Sequence, residues 1–383
     1  MVRCAGRGAL VVACAVAACH EAGGARDAGS GDAATSGADA TGGDATLPDG
    51  GGGPVAPIHF IGRFDTSDPG GPRFAWPGSA IVARFDGTGL TVRLDDGGQD
   101  QFDVWVDGAA QPVLLAGAGP ADYVLASGLP AGPHDVVVAR RTESFFGPTQ
   151  FLGFSGAPLV DTPGPTRLVE MVGDSITCGY GVLGAGPTCG FSAGTEAETH
   201  AWGALAAADL GAAHTAIAYS GKGVYLSYGG DPTDPLPVLF ERTLADDAAS
   251  AWSFAAYTPD VVVVDLGTND FSVGDPGTPF VDAYVAFVAQ IRAHYPDAWI
   301  LVATSPMLSD SYPPGAMQRT IAAGYLQDAV AAAVAAGDGR VDFVDLAEQD
   351  PADGYVCDYH PSEATQAIMA AALAARIRAL TGW

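Results

Sequence analysis

The rhythm of apolar and polar positions changes twice along the chain. Residues 20–57 carry almost no large apolar side chain. Between about 58 and 155, β-branched and aromatic residues alternate with polar ones in short runs: SAIVARFDG, LTVRLDD, FDVWVDG, DYVLASG and HDVVVARR. Gly, Pro or Asp closes these runs, and a period of two at this spacing predicts an all-β sandwich with a jelly-roll path. Asp86-Gly87 and Asp107-Gly108 are expected to be its turns, because glycine readily takes positive φ.

From about residue 166 the apolar runs become continuous. Those at 167–172, 261–266, 300–304 and 341–344 are short enough for parallel strands buried on both faces. Ala-rich stretches of helical length separate them at 201–210, 280–295, 315–336 and 363–380. This alternation predicts an α/β fold with a parallel sheet in a three-layer α/β/α arrangement.

The first residues change the picture of where the protein works. Arg3 and Arg7 precede an apolar stretch at 8–18 that is too short to span a bilayer, and the segment closes on Val16-Ala17-Ala18-Cys19. This resembles a bacterial lipobox, which implies a lipoprotein signal peptide at 1–18 and a lipidated Cys19. An ordinary cleaved signal peptide is the alternative, and both predict export, to the cell envelope as an anchored lipoprotein or otherwise as a secreted protein. Residues 19–57, rich in Gly, Ala and Asp, then form a disordered linker, since such a composition cannot bury enough surface to offset chain ordering.

Charge and cysteine content narrow the possibilities. Asp and Glu outnumber Lys and Arg by 44 to 17, for a net charge of -27, so nucleic acid is excluded as a partner and membrane contact is expected only through Cys19. With Cys4 and Cys14 in the signal segment, Cys178, Cys189 and Cys357 remain, enough for one disulfide. The shortest loop favours Cys178 with Cys189, and pairing of either with Cys357 stays open. His and Cys do not occur at zinc-like spacings, so neither metal nor cofactor is expected.

Candidate chemistry begins at VGDSITCGYG, residues 172–181. Ser175 stands between a strand and a helix, where a serine is either an N-cap or a nucleophile at the carboxyl end of a parallel sheet. Three further segments bear on the choice. In DLGTND, residues 265–270, Asn269 can direct a neutral amide at a developing oxyanion. In AYSGKG, residues 218–223, a glycine lets a backbone N–H approach a ligand closely. In DYHPS, residues 358–362, His360 opens a helix, where it can serve as general base and then general acid.

These four segments stand in the chain order of the SGNH, or GDSL-like, hydrolases, and the chain resembles that family from about residue 58 to 383. The resemblance implies Ser175 as nucleophile, His360 as base, and an oxyanion hole from the Ser175 N–H, Gly221 and Asn269, with Gly223 as the substitute for Gly221. GDSITCGYG, SGKG and the sandwich ending RRTESFFGPTQFLGF are similar to carbohydrate esterase family 2. That family joins a jelly roll, here 58–160, to an SGNH hydrolase domain, here 161–383, and removes O-acetyl groups from polysaccharides such as xylan and glucomannan. An acetylated polysaccharide is thus the expected partner. The alternatives are another acyl substrate, such as a bacterial glycan or a lipid, or a non-catalytic surface carbohydrate-binding lipoprotein in which Trp76, Trp105 or Tyr359 stacks on sugar.

One position departs from the common pattern. Cys357 stands three residues before His360, where most SGNH enzymes place the triad acid, and the nearest carboxylate is Asp358. Asp358 is the expected third member, although the resemblance also allows a dyad whose imidazole is oriented by a backbone carbonyl. Lys222, the single lysine of the chain, lies between Gly221 and Gly223 and is expected near the substrate or the loop.

Overall fold

In the computed structural model the described residues are 53–383. The signal segment, Cys19 and all but the last residues of the linker lie outside them.

The alternating runs of the N-terminal part join a nine-stranded sheet whose pairings are antiparallel. Two strands are long, Ala80–Asp96 and Gly119–Arg140, and they pair from Ala80 with Ala139 to Asp96 with Gly119. SAIVARFDG and LTVRLDD are therefore one strand where two were expected, and DYVLASG and HDVVVARR are likewise one. Asp86-Gly87 is not a reversal. The ladder slips between Gly87 and Gly89, and this irregularity bends the strand without ending it. Across the bend, Ile81 and Phe85 from one limb share a core with Leu90, Val92 and Leu94 from the other. Asp107-Gly108 is a true turn, with φ of 52° and 77° and Val106 paired to Ala109 across it.

The continuous runs form a five-stranded parallel sheet in the order Ala213–Ala218, Leu168–Gly173, Val261–Asp265, Trp299–Ala303, Val341–Val344. Val172, Val262, Val264 and Ile300 face a core completed by helices Thr278–His294 and Gln318–Ala335. Met171, Val261, Val263 and Leu301 face the opposite core with helices Trp202–Asp209 and Glu363–Thr381. Burial on both faces explains why these strands read as unbroken apolar runs. The chain departs to either side of Leu168–Gly173, so the sheet opens a crevice at the carboxyl end of that strand.

The two parts share buried residues. Trp76, from the N-terminal part, is fully buried in the core that contains Val172, Ile217 and Phe240, and so cannot stack on sugar. Arg63 is also fully buried, its Nη2 lying 3.5 Å from Glu170 on the parallel strand Leu168–Gly173. Its Nη1 donates to the carbonyls of Phe240 and Arg242.

Candidate active site

The strand Leu168–Gly173 ends at Gly173, where a Cβ would come within 2.1 Å of Thr177 Oγ1. The chain turns there into the short helix Ser175–Cys178, and Asp174 caps it by accepting the Ile176 N–H at 3.0 Å. Capping thus belongs to Asp174. The Ser175 hydroxyl instead lies 2.8 Å from His360 Nε2, although 185 residues separate the two in sequence.

The tautomer of His360 follows from its other nitrogen. Nδ1 lies 3.1 Å from the carbonyl of Cys357, which can only accept, so Nδ1 carries the proton and Nε2 offers its lone pair to the serine hydroxyl. The Tyr180 ring stacks on the imidazole with centroids 4.1 Å apart. Burial pushes His360 down to about 4, with the Cys357 carbonyl and the charge of Asp358 opposing the shift. The imidazole is therefore neutral near pH 7, as a general base must be.

Asp358 does not take the place expected of a triad acid. Asp358 and Tyr359 both adopt left-handed backbone, φ 52° and 62°, and the Asp358 carboxylate accepts the Tyr180 hydroxyl at 2.6 Å. With Nδ1 occupied by the Cys357 carbonyl, Asp358 acts on His360 through its charge.

The cysteine pairing expected from loop length is also corrected. Cys189 is bonded to Cys357 with Cα atoms 4.5 Å apart, and Cys178 is free and buried. The loop carrying Cys189 folds across the histidine turn, where Asp358 N–H donates to the Cys189 carbonyl at 3.0 Å. Gly184 fits there because a Cβ would meet Cys357 Sγ at 2.3 Å. Cys178 points into the protein, where burial and the charge of Glu143 push its thiol up.

Asn269 is drawn to the same place. Its Nδ2 donates to Asp174 Oδ2 at 3.0 Å and to the Lys222 carbonyl at 2.9 Å, which ties the third strand's loop to the residue before Ser175 and to the glycine loop. Burial raises Asp174 to about 7. Gly221 adopts φ 80°, and its N–H donates to no protein group among the described residues. Gly223 is packed tightly elsewhere, since a Cβ would meet the Leu226 carbonyl at 2.0 Å and the Asp270 carboxylate at 2.4 Å. Asp270 gathers the N–H groups of Val224, Tyr225 and Leu226, and so shapes the segment after the glycines. The Lys222 ammonium reaches the Thr233 carbonyl at 3.1 Å, which ties the loop down. Tyr359 is exposed beside Tyr355.

Glu143 was not singled out from the sequence. It stands in RRTESFF, directly after the long strand Gly119–Arg140, and reaches over to the glycine loop. Its Oε2 accepts the Ser220 N–H at 2.6 Å and its Oε1 accepts the Ser220 hydroxyl. Nearby, Phe145 packs against Phe191 and Tyr219, and Phe191 against Tyr180, so aromatic rings border the site from both parts of the chain.

A serine–imidazole pair at the carboxyl end of a parallel sheet, flanked by an asparagine amide and a glycine N–H, places the chain among the GDSL-like acylhydrolases. Residues 171–368 match the GDSL-like Lipase/Acylhydrolase family, and residues 60–163 match the Carbohydrate esterase 2 N-terminal family. The chain is 38% identical over 330 residues to the cellulase/esterase CelE of Acetivibrio thermocellus, a match covering 85% of this chain and 40% of CelE. It is 27% identical over 265 residues to an acetylxylan esterase/glucomannan deacetylase of Cellvibrio japonicus, covering 66% of this chain and 69% of that one. A family two carbohydrate esterase from Clostridium thermocellum, solved in complex with cellohexaose, superposes with a TM-score of 0.80 at 38% identity, over 85% of this chain and 99% of that one. The chain belongs to carbohydrate esterase family 2.

Proposed function

We propose that the protein is a serine esterase that removes O-acetyl groups from polysaccharides, acetylated xylan or glucomannan, through an acetyl-enzyme intermediate. The 2.8 Å contact between Ser175 Oγ and His360 Nε2 carries the reading. Nε2 takes the hydroxyl proton as Oγ attacks the acetyl carbonyl carbon, then returns it to the departing sugar oxygen. Water, deprotonated by the same nitrogen, next releases acetate and restores Ser175. The N–H groups of Ser175 and Gly221 and the Asn269 amide hold the oxyanion. At rest Asn269 Nδ2 bonds to Asp174 and to the Lys222 carbonyl, so one of those bonds is shared or released as negative charge develops.

The acyl group and the glycan are assigned from the activities named for the relatives. Export and a lipid on Cys19 belong to the same proposal, and would bring the site to polysaccharide outside the cell.

Acetate release from a chromogenic acetyl ester, acetylated xylan, acetylated glucomannan and an acetylated bacterial glycan tests the assignment. Ser175→Ala is expected to remain folded and to lose on the order of 10⁶ in kcat, the scale seen when a serine nucleophile is deleted. Wild-type-like turnover in that variant would end the proposal. Faster release from the bacterial glycan than from both plant polymers would reassign the substrate.

A further inference from the structure

We propose that Glu143 is a positioning residue for oxyanion stabilisation, holding the glycine loop by both oxygens of its carboxylate. The inference rests on the esterase reading above and assigns the N-terminal part of the chain a role in turnover.

Three observations carry it. Glu143 is fully buried and fixed through its own backbone: its N–H donates to Glu196 at 3.1 Å, and its carbonyl accepts from the buried Arg140 at 2.9 Å. Both of its carboxylate oxygens then go to one residue, Ser220, at the backbone N–H and at the hydroxyl. Ser220 immediately precedes Gly221, and the peptide unit between them contains the Gly221 N–H. Holding Ser220 at two points therefore aims that N–H. The same hold reaches Asn269, whose amide is bonded to the carbonyl of Lys222, two residues further along the loop.

Burying a carboxylate is costly unless its oxygens are satisfied. Here the acceptors are used on a loop beside the catalytic serine. Burial pushes both Glu143 and the adjacent Glu196 up, and the N–H and hydroxyl of Ser220 oppose that shift at Glu143 by favouring its charged form.

The test uses Glu143→Gln and Ser220→Ala in the full chain, with folded active sites counted by the initial burst of product from a chromogenic acetyl ester. Gln sets its amide donor against donors of Ser220, so kcat per active site is expected to fall by about 10²-fold, the usual scale for one oxyanion donor, with KM nearly unchanged. Ser220→Ala removes only the hydroxyl and should cost about tenfold, whereas Ser220→Thr should recover most of that loss. Because the two side chains act through one contact, the double variant should be no slower than Glu143→Gln alone.

A purely structural role would lower the melting temperature and the number of active sites while leaving kcat per site within twofold of wild type, and that result would overturn the proposal. Should Glu143→Gln fail to fold, Ser220→Ala and Ser220→Thr decide the matter by the same criterion. An inactive Ser175→Ala beside a full-rate Ser220→Ala overturns this inference alone. An active Ser175→Ala overturns the esterase reading itself.

Discussion

Replacing Asp358 with Asn separates a dyad from a triad. In serine proteases, changing the triad acid to its amide costs on the order of 10⁴ in kcat, because the amide favours the wrong imidazole tautomer. That loss corresponds to about 5.5 kcal/mol of barrier. In this protein the Nδ1 proton is held by the Cys357 carbonyl at 3.1 Å, which the substitution leaves in place. The bond from Tyr180 survives as well, since an amide oxygen accepts the hydroxyl that now lies 2.6 Å from Asp358. Asn also tolerates the left-handed backbone at this position, φ 52°, better than most residues. What disappears is one negative charge, which ranks below the Cys357 carbonyl among the influences that hold the His360 pKa up against burial. The expected loss in kcat is therefore under tenfold, or less than about 1.4 kcal/mol. The acid limb of kcat/KM should move to slightly lower pH, because removing a nearby anion disfavours the imidazolium. A chromogenic acetyl ester assayed across pH gives both quantities. A loss of 10³ or more, in a protein that still melts like the wild type, would refute the dyad.

Two further expectations follow from the geometry of the histidine turn. Burial lowers His360 to about 4, and only the neutral imidazole can accept the serine proton. The acid limb of wild-type kcat/KM should accordingly bend near that value, and an inflection at the ordinary imidazole pKa of about 6.5 would contradict it. Cys189→Ser opens a cross-link between residues 168 apart, and chain entropy puts the stability loss near an upper limit of about 5 kcal/mol. It should also lower kcat, since the carbonyl that orients His360 belongs to Cys357, so an unchanged melting temperature with full activity would remove the disulfide from both roles.

What could be read from the sequence was local. The parallel strands announce themselves because burial on two faces removes polar positions, and the helices expected at 280–295 and 363–380 appear as Thr278–His294 and Glu363–Thr381. Ser175 and His360 stand in short motifs at element ends, and the fold brings them into contact. The misreadings arise where distance in space and distance in sequence part company. Asp86-Gly87 has the composition of a turn, but its pairing with Pro133 and Gly132 on the facing strand carries the chain on through the irregularity without a reversal. Cys178 and Cys189 are neighbours in sequence, yet the helix following Ser175 buries the first while the second crosses to Cys357. Asp358 has the right chemistry and nearly the right spacing, but a left-handed backbone sends its carboxylate to Tyr180. Glu143 carried no signal beyond its place in RRTESFF, because its partner, Ser220, lies 77 residues away.

The burial of Trp76 and Arg63 among residues of the parallel-sheet part bears on how such an enzyme can be transplanted. The two family matches end and begin at residues 163 and 171, which invites a cut between them. A gene fragment starting at 164 would encode Ser175, Asn269 and His360 and would look complete on paper. It would leave a hole where the Trp76 indole sits and strand Glu170 without its guanidinium, and removing one partner of a buried ion pair by itself costs about 3–5 kcal/mol. In a fusion enzyme or a shuffled library the seam belongs upstream of the N-terminal antiparallel sheet, and crossovers between homologues should exchange both segments together or neither.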